Sequence, residues 1–234
     1  MQTDGISIEA RDVSKYYLSG KERFAALSHV DLRIMKGEFI SVMGPSGSGK
    51  TTLLNCLSGL DRISEGTVFV NGNNIAEMSD AVISRFRAKN MGFVFQNYAL
   101  LPVFSTVENV ELPALIIGEK ASKARQIALR TLELVGMANR AGFKPSQLSG
   151  GEQQRAAIAR ALVNNPEVVW ADEPTGNLDT EAGRVIMELF SELNRNLAAT
   201  VVVVTHDERV ASYTRRTINI MDGRIVDRAG GKGR

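Results

Sequence analysis

One cysteine in 234 residues, Cys56, excludes an internal disulfide framework and fits a reducing compartment. Nothing pairs with it at metal-ligand spacing, so it reads as a small buried hydrophobe. Long apolar runs are missing too. The longest, TVVVV and PALIIG, have the length of a strand or a loop, far short of the roughly 18 residues that span a bilayer. The opening MQTDGISIEA carries neither a basic segment nor an apolar one, so nothing in it directs export. A cytosolic chain is expected, with any membrane role dependent on a partner that supplies the spanning segments. Net charge is equally scarce. A formal +2, with Lys and Arg scattered, leaves no electrostatic footprint for nucleic acid, and no nucleic-acid partner is expected. Repeats and low-complexity tracts are absent, and only the closing AGGKGR reads as a frayed tail.

The composition that remains, 44% apolar and 23% charged, is that of a globular protein with an ordinary core. SHVDLRI alternates Val30, Leu32 and Ile34 with polar neighbours, as a half-buried strand does. EFISVMG and EVVWAD are nearly continuous apolar runs, as strands covered on both faces are. Ala124, Ile127, Ala128, Thr131, Leu132 and Val135 fall on one helical face closed by Gly136. Strands alternating with helices predict an α/β fold: a mostly parallel sheet, with a smaller antiparallel β subdomain near the N-terminus. From about Tyr98 to Asn164 the pattern is mostly helical. It predicts a helical subdomain, about 97–165, inserted into a core of about 1–96 and 166–234.

GPSGSGKT comprises Gly44, Pro45, Ser46, Gly47, Ser48, Gly49, Lys50 and Thr51, with Thr52 beginning the helical run behind it. It is a complete G-x-x-x-x-G-K-T loop between an apolar strand and a helix. Its glycines let backbone N–H groups curl around phosphates, the helix N-terminus adds its positive end, Lys50 reaches the outer phosphates, and Thr51 offers a hydroxyl to magnesium. The cofactors expected are therefore ATP and Mg2+. VVWADEP supplies the complementary carboxylates. Asp172, at the end of a buried strand, faces the metal directly or through a water, while Glu173 addresses the water that attacks the γ-phosphate. Met91, Phe93 and Phe95 read as core or strand packing.

A phosphate loop covers one side of the γ-phosphate, and charge stabilisation is needed on the others. PSQLSGGEQQ offers a second anion site. Ser149 and Glu152 form a capping box that starts a helix. Gly150 and Gly151 cost that helix about 1 kcal/mol each relative to Ala, which asks for something that approaches closely. If the approaching group is a phosphate on another subunit, the glycines have their reason.

LSGGEQQ, together with GPSGSGKT and VVWADEP, resembles the ATP-binding subunit of ABC transporters over nearly the whole chain. The resemblance implies further roles, position by position. Gln96, closing MGFVFQ, resembles the glutamine that contacts magnesium and the attacking water and hinges the helical subdomain. Asp179 in GNLD resembles the aspartate that communicates across the dimer, and His206, ending TVVVVTH, the switch histidine at the γ-phosphate. Tyr17 in VSKYY resembles the aromatic residue that stacks on adenine, with Tyr16 as the alternative. LLPVFSTVENVELP and ADEPTGNLD are similar to the branch containing lipoprotein-releasing LolD, the efflux ATPase MacB, the division protein FtsE and peptide-resistance transporters.

What the family implies is a second ATPase subunit, most simply an identical one, and an integral membrane subunit docking near Gln96 to Phe104. NYALLPVF there is either core or part of a docking groove. The expected location is peripheral, on the cytoplasmic face of the cell membrane. The rivals are a soluble ABC ATPase of translation or DNA repair, which usually carries tandem cassettes or a long coiled coil, and a generic P-loop kinase or GTPase. The chain has no extended heptad run and no N-K-x-D sequence, and neither kinase nor GTPase explains LSGGEQQ. A clamp that binds ATP without hydrolysis is disfavoured by Glu173.

Overall fold

The computed structural model describes residues 5–20 and 22–226, so the tail expected at 229–234 lies outside the described residues. Two sheets frame the molecule. In the smaller, β1 (Ile6–Ser19) pairs antiparallel with β2 (Glu22–Met35) and with β4 (Glu65–Val70), and β5 (Asn73–Asn74) extends the edge. Six strands form the larger: β3 (Phe39–Met43), β6 (Met91–Phe95), β7 (Val168–Asp172), β8 (Thr200–Thr205), β9 (Arg216–Met221) and β10 (Arg224–Val226). Their spatial order is β10-β9-β3-β8-β7-β6, parallel throughout except for β10 at the edge. The fold is thus α/β, with the parallel and antiparallel sheets the sequence predicts.

The apolar runs of the central strands follow from burial on both faces. In β8, Val201 and Val203 face one core while Val202 and Val204 face the other, and Val169 and Ala171 against Val168 and Trp170 repeat that division in β7. One core lies between the large sheet and the small one, with α1 (Lys50–Leu57) between them; Leu53 and Leu57 meet Ile34, Val68 and Ile40 there. α2 (Asp80–Asn90) borders that side through Ile83 and Phe86. The second core is shared by α3 (Thr106–Ile116), α4 (Ala121–Leu134), α5 (Gly150–Leu162) and α6 (Thr180–Leu197). The first three helices occupy the crossover from β6 to β7, and their core runs without a break into the sheet through Val94 and Val169.

PALIIG departs from expectation. Pro113, Ala114, Leu115 and Ile116 belong to α3 rather than to a strand or a loop. Ser105 and Glu108 start that helix with a capping box, and Val107, Val110 and Ala114 bury one face against α4 and α5, which outweighs the donor that Pro113 lacks. Asn164 Nδ2 takes up the Pro113 carbonyl at 3.0 Å. NYALLPVF divides: Leu100 packs on the core, while Leu101 and Val103 are exposed.

Candidate nucleotide site

Four neighbouring strands of the large sheet end side by side, and each is followed by a predicted site residue. In the order β3-β8-β7-β6, Met43 is level with Thr205, Val204 with Asp172, and Asp172 with Phe95. The phosphate loop, His206, Glu173 and Gln96 come directly after these ends, the side of a parallel sheet where ligands bind.

The loop's glycines have separate reasons. A Cβ on Gly44 would sit 2.2 Å from the Ile220 carbonyl oxygen, so its backbone is packed against β9. Gly47, at φ +78°, has open space where a Cβ would be, so its smallness answers to its left-handed backbone rather than to crowding. Lys50 donates from Nζ to the carbonyls of Gly44 and Pro45 at 2.9 and 2.8 Å, drawing the loop together. The first turn of α1 has no acidic residue, so its positive end is uncompensated. Among the described residues, Ser48 Oγ is buried without a partner.

Thr51 Oγ1 lies 3.2 Å from Asp172 Oδ2 and 3.3 Å from Oδ1. Burial pushes the Asp172 carboxyl up, as does the neighbouring charge of Glu173, while Thr51 and Lys50 oppose them. Hard oxygen donors of this kind, one of them a desolvated carboxylate, fit a magnesium ion. Glu173 stands at φ +46°, in the left-handed region, which costs a residue with a side chain on the order of 1 kcal/mol. Its N–H is fixed by the Val204 carbonyl at 2.9 Å and its own carbonyl by Gly176 N–H at 3.0 Å. The carboxylate receives Thr205 Oγ1 at 3.2 Å and meets His206 Nδ1 at 2.7 Å.

Gln96 Nε2 approaches Asn177 Oδ1 at 3.4 Å, and Asn177 Nδ2 returns a bond to the Gln96 carbonyl at 2.8 Å. A Cβ on Gly176 would be 2.7 Å from Gln96 Nε2, so the glutamine side chain lies over that glycine. Neither Asn177 nor Gly176 carries a signal of this role in the sequence, because the pairing spans 81 residues of chain.

Tyr17, Phe24, Ser46, Gly47, Lys50 and Glu173 are among the residues that line one open cavity of about 320 Å³, together with Thr51 and Thr52. Phe24 was not singled out from the sequence. It faces Tyr17 across the β1–β2 pair, and the only signal for it is a strand register that the sequence does not print. Tyr16 does not line this cavity; its ring lies under the Arg23 guanidinium, 3.5 Å away.

Ser149, Gly150, Gly151 and Glu152 are absent from that lining as well. The capping box is formed: Ser149 Oγ accepts from Glu152 N–H at 3.3 Å, and Glu152 accepts from Ser149 N–H at 2.9 Å. Arg140, bonded to Glu152 Oε1 at 2.9 Å, holds its carboxyl below the ordinary range, helped by the Ser149 N–H. The glycines differ. A Cβ on Gly150 would come within 2.9 Å of the Tyr98 hydroxyl, an internal reason for its smallness, whereas one on Gly151 would make ordinary contact at 3.6 Å with Ala182. Asp179 caps α6 by accepting from Ala182 N–H at 2.8 Å.

A family model described as ABC transporter matches residues 27–176. The chain is 48% identical over 199 residues to the lipoprotein-releasing system ATP-binding protein LolD of Bacteroides thetaiotaomicron, covering 85% of this chain and 91% of that one. It is 45% identical over 222 residues to the macrolide export ATP-binding/permease protein MacB of Burkholderia pseudomallei, covering 95% of this chain and 34% of that longer one. Among solved structures, an ATP-binding cassette in a dimeric, post-hydrolysis state with ADP and Pi superposes with a TM-score of 0.87 at 42% identity, over 94% of this chain and 97% of that one.

Proposed function

The chain belongs to the ABC transporter family as an ATP-binding, ATP-hydrolysing subunit, and from that premise we propose that two copies sandwich two nucleotides head to tail, each copy completing the other's site. The observation that carries this reading is the separation within one chain of the two anion-binding helix starts: Gly47, Gly49, Lys50 and Thr51 line the cavity, and the Ser149 to Gly151 end does not. A second copy bringing that end to the open side supplies the missing donors, and Gly151 is small for that approach.

Within the site the chain's residues divide the work. Lys50 would exchange its two loop carbonyls for the outer phosphates, Thr51 and Asp172, with Gln96, would hold magnesium, and Tyr17 would stack on the base. A magnesium ion so held would supply charge neutralisation to the outer phosphates. Glu173 accepts the proton of the attacking water. Because an ionised carboxylate only accepts, His206 donates a hydrogen bond from Nδ1–H to Glu173, and a neutral ring so engaged has only a lone pair at Nε2. Contact with a γ-phosphate therefore requires the ring to leave Glu173 or to carry both protons. Asp179 caps the α6 start through Ala182, the residue that a Cβ on Gly151 would meet, and this supports a role in sensing the partner.

No described helix is long and apolar enough to cross a membrane. We infer that the moving partner is an integral membrane protein and that the chain acts at the cytoplasmic face, in export, lipoprotein release or mechanical signalling. A groove of about 410 Å³ lined by Leu60, Phe93, Phe95, Pro113, Ile116 and Arg160 lies beside the segment Gln96 to Phe104 and fits the partner's docking. Arg160 donates to the carbonyls of Tyr98 and Ala99, so that segment is tied to α5, whose other end is the Ser149 start.

The test uses Glu173→Gln. With Mg-ATP this variant should run as a dimer in size-exclusion chromatography, and adding Gly151→Asp, which sets a carboxylate against the partner's triphosphate, should return it to monomer with ATP still bound. A dimer that survives Gly151→Asp would refute the sandwich.

A further inference from the structure

Lys15 and Asp61 are charged residues that the nucleotide reading leaves unused, yet both converge on Tyr17. The Tyr17 hydroxyl donates to Asp61 Oδ2 at 2.7 Å, and Lys15 Nζ donates to Asp61 Oδ1 at 2.7 Å and to the Arg62 carbonyl at 2.7 Å. The same ammonium stands 4.8 Å from the centre of the Tyr17 ring. Lys15 is buried while Tyr17 is 41% exposed, so this contact covers part of the ring and leaves the rest accessible.

Asp61 is in turn referenced to α1. Its N–H is bonded to the Asn55 carbonyl at 3.1 Å, and Ser58 N–H to that of Leu54 at 2.9 Å, so the segment after α1 is wound onto its last turn. One eight-residue helix, about 12 Å long at 1.5 Å per residue, thus presents Lys50 and Thr51 at its start and holds the aromatic ring from its end. Burial pushes the Tyr17 hydroxyl up to about 12, and the adjacent Asp61 adds to it, so the phenol remains a donor. Burial raises the Asp61 carboxyl, but Lys15 and Tyr17 outweigh it and keep Asp61 below the usual range, an ionised acceptor.

We propose that Asp61 and Lys15 are positioning residues for base recognition: they lock the Tyr17 ring at a fixed distance from the phosphate loop, so that its free face meets the adenine of a nucleotide whose phosphates sit at Lys50. This rests on the reading of Tyr17 as the stacking residue. Ordering a half-exposed aromatic ring before the ligand arrives removes that cost from binding. Neither residue touches the nucleotide, and the locking acts on the base alone.

The probes are ATP and inorganic tripolyphosphate, which lacks the base, with affinity measured by calorimetry on the full chain and KM and kcat taken from phosphate release. Asp61→Ala should weaken ATP by about 3- to 10-fold, a fraction of the roughly 5- to 150-fold that stacking contributes. The loss should fall on KM rather than kcat, tripolyphosphate affinity should be unchanged, and in a Tyr17→Ala background Asp61→Ala should add nothing. Tyr17→Phe, which keeps the ring and removes its bond to Asp61, should give a loss between wild type and Tyr17→Ala; it stands in should Asp61→Ala not fold. Equal weakening of tripolyphosphate, or unchanged ATP affinity in Asp61→Ala and Tyr17→Phe while Tyr17→Ala weakens it, overturns the locking. Unchanged ATP affinity in Tyr17→Ala overturns the stacking reading beneath it, and the locking falls with it.

Discussion

His206 Nδ1 stands 2.7 Å from Glu173 Oε1, joining the residue after β8 to the residue after β7 across the ends of two adjacent parallel strands. The bond holds the carboxylate that we propose accepts a proton from water, on a residue whose backbone is left-handed. Glu173→Gln should lower turnover by roughly 10² to 10⁴ with ATP affinity retained. His206→Ala removes one hydrogen bond to a charged group and should lower turnover by about 10- to 150-fold. Phosphate release and nucleotide binding, measured on the same preparations, decide both; a Glu173→Gln chain with normal turnover takes the role away from that residue.

In the proposed site Lys50 serves binding rather than proton transfer. Its ammonium is held by two carbonyls of the loop it follows, bonds that in the proposed site give way to phosphate oxygens. Lys50→Ala should weaken ATP by about 10- to 150-fold, the worth of one charge-assisted contact. Calorimetric titration reads it directly, and unaltered affinity contradicts the assignment.

Gly151 separates folding from function. Its backbone is helical and a Cβ there meets only ordinary contacts, so Gly151→Ala should leave the melting temperature unchanged or raise it, by no more than about 1 kcal/mol of stability. Turnover should nevertheless fall, because in the proposed sandwich the added methyl stands where the partner's phosphate approaches. A variant both as stable and as active as wild type would show that nothing comes close to this helix end. Gly150→Ala is a poorer probe, since the Tyr98 hydroxyl must move to accommodate it.

Glu9 sets an acid limit on stability. It is 3% exposed on β1, with Arg11 at 2.7 Å and Arg33 at 2.8 Å. Arg11, with Arg33 behind it, holds the Glu9 carboxyl below its ordinary value against the opposing effect of burial. A carboxyl lowered on folding stabilises the protein above its unfolded value of about 4.3, and that contribution is lost as pH falls through the folded value. Glu9→Gln should therefore cost on the order of 1 kcal/mol at pH 7, the exposure of both arginines being discounted. In urea unfolding the gap from wild type should narrow as pH falls below the unfolded value of about 4.3, and a gap that stays constant on further acidification sinks the assignment.

The sequence by itself determined the features whose cause is local. The phosphate loop, the Ser149–Glu152 capping box, the doubly apolar strands and the α4 stripe each depend on residues within a few positions of one another, where backbone geometry leaves little choice. Only the tertiary structure decided which distant groups meet. Strand pairing carries Tyr17 opposite Phe24 and turns Tyr16 away under Arg23; parallel register brings His206 to Glu173, 33 residues apart; and helix packing makes a helix of Pro113 to Ile116 and sets Tyr98 against Gly150. Such contacts are fixed by the burial of apolar faces belonging to other parts of the chain, and no short segment contains the information.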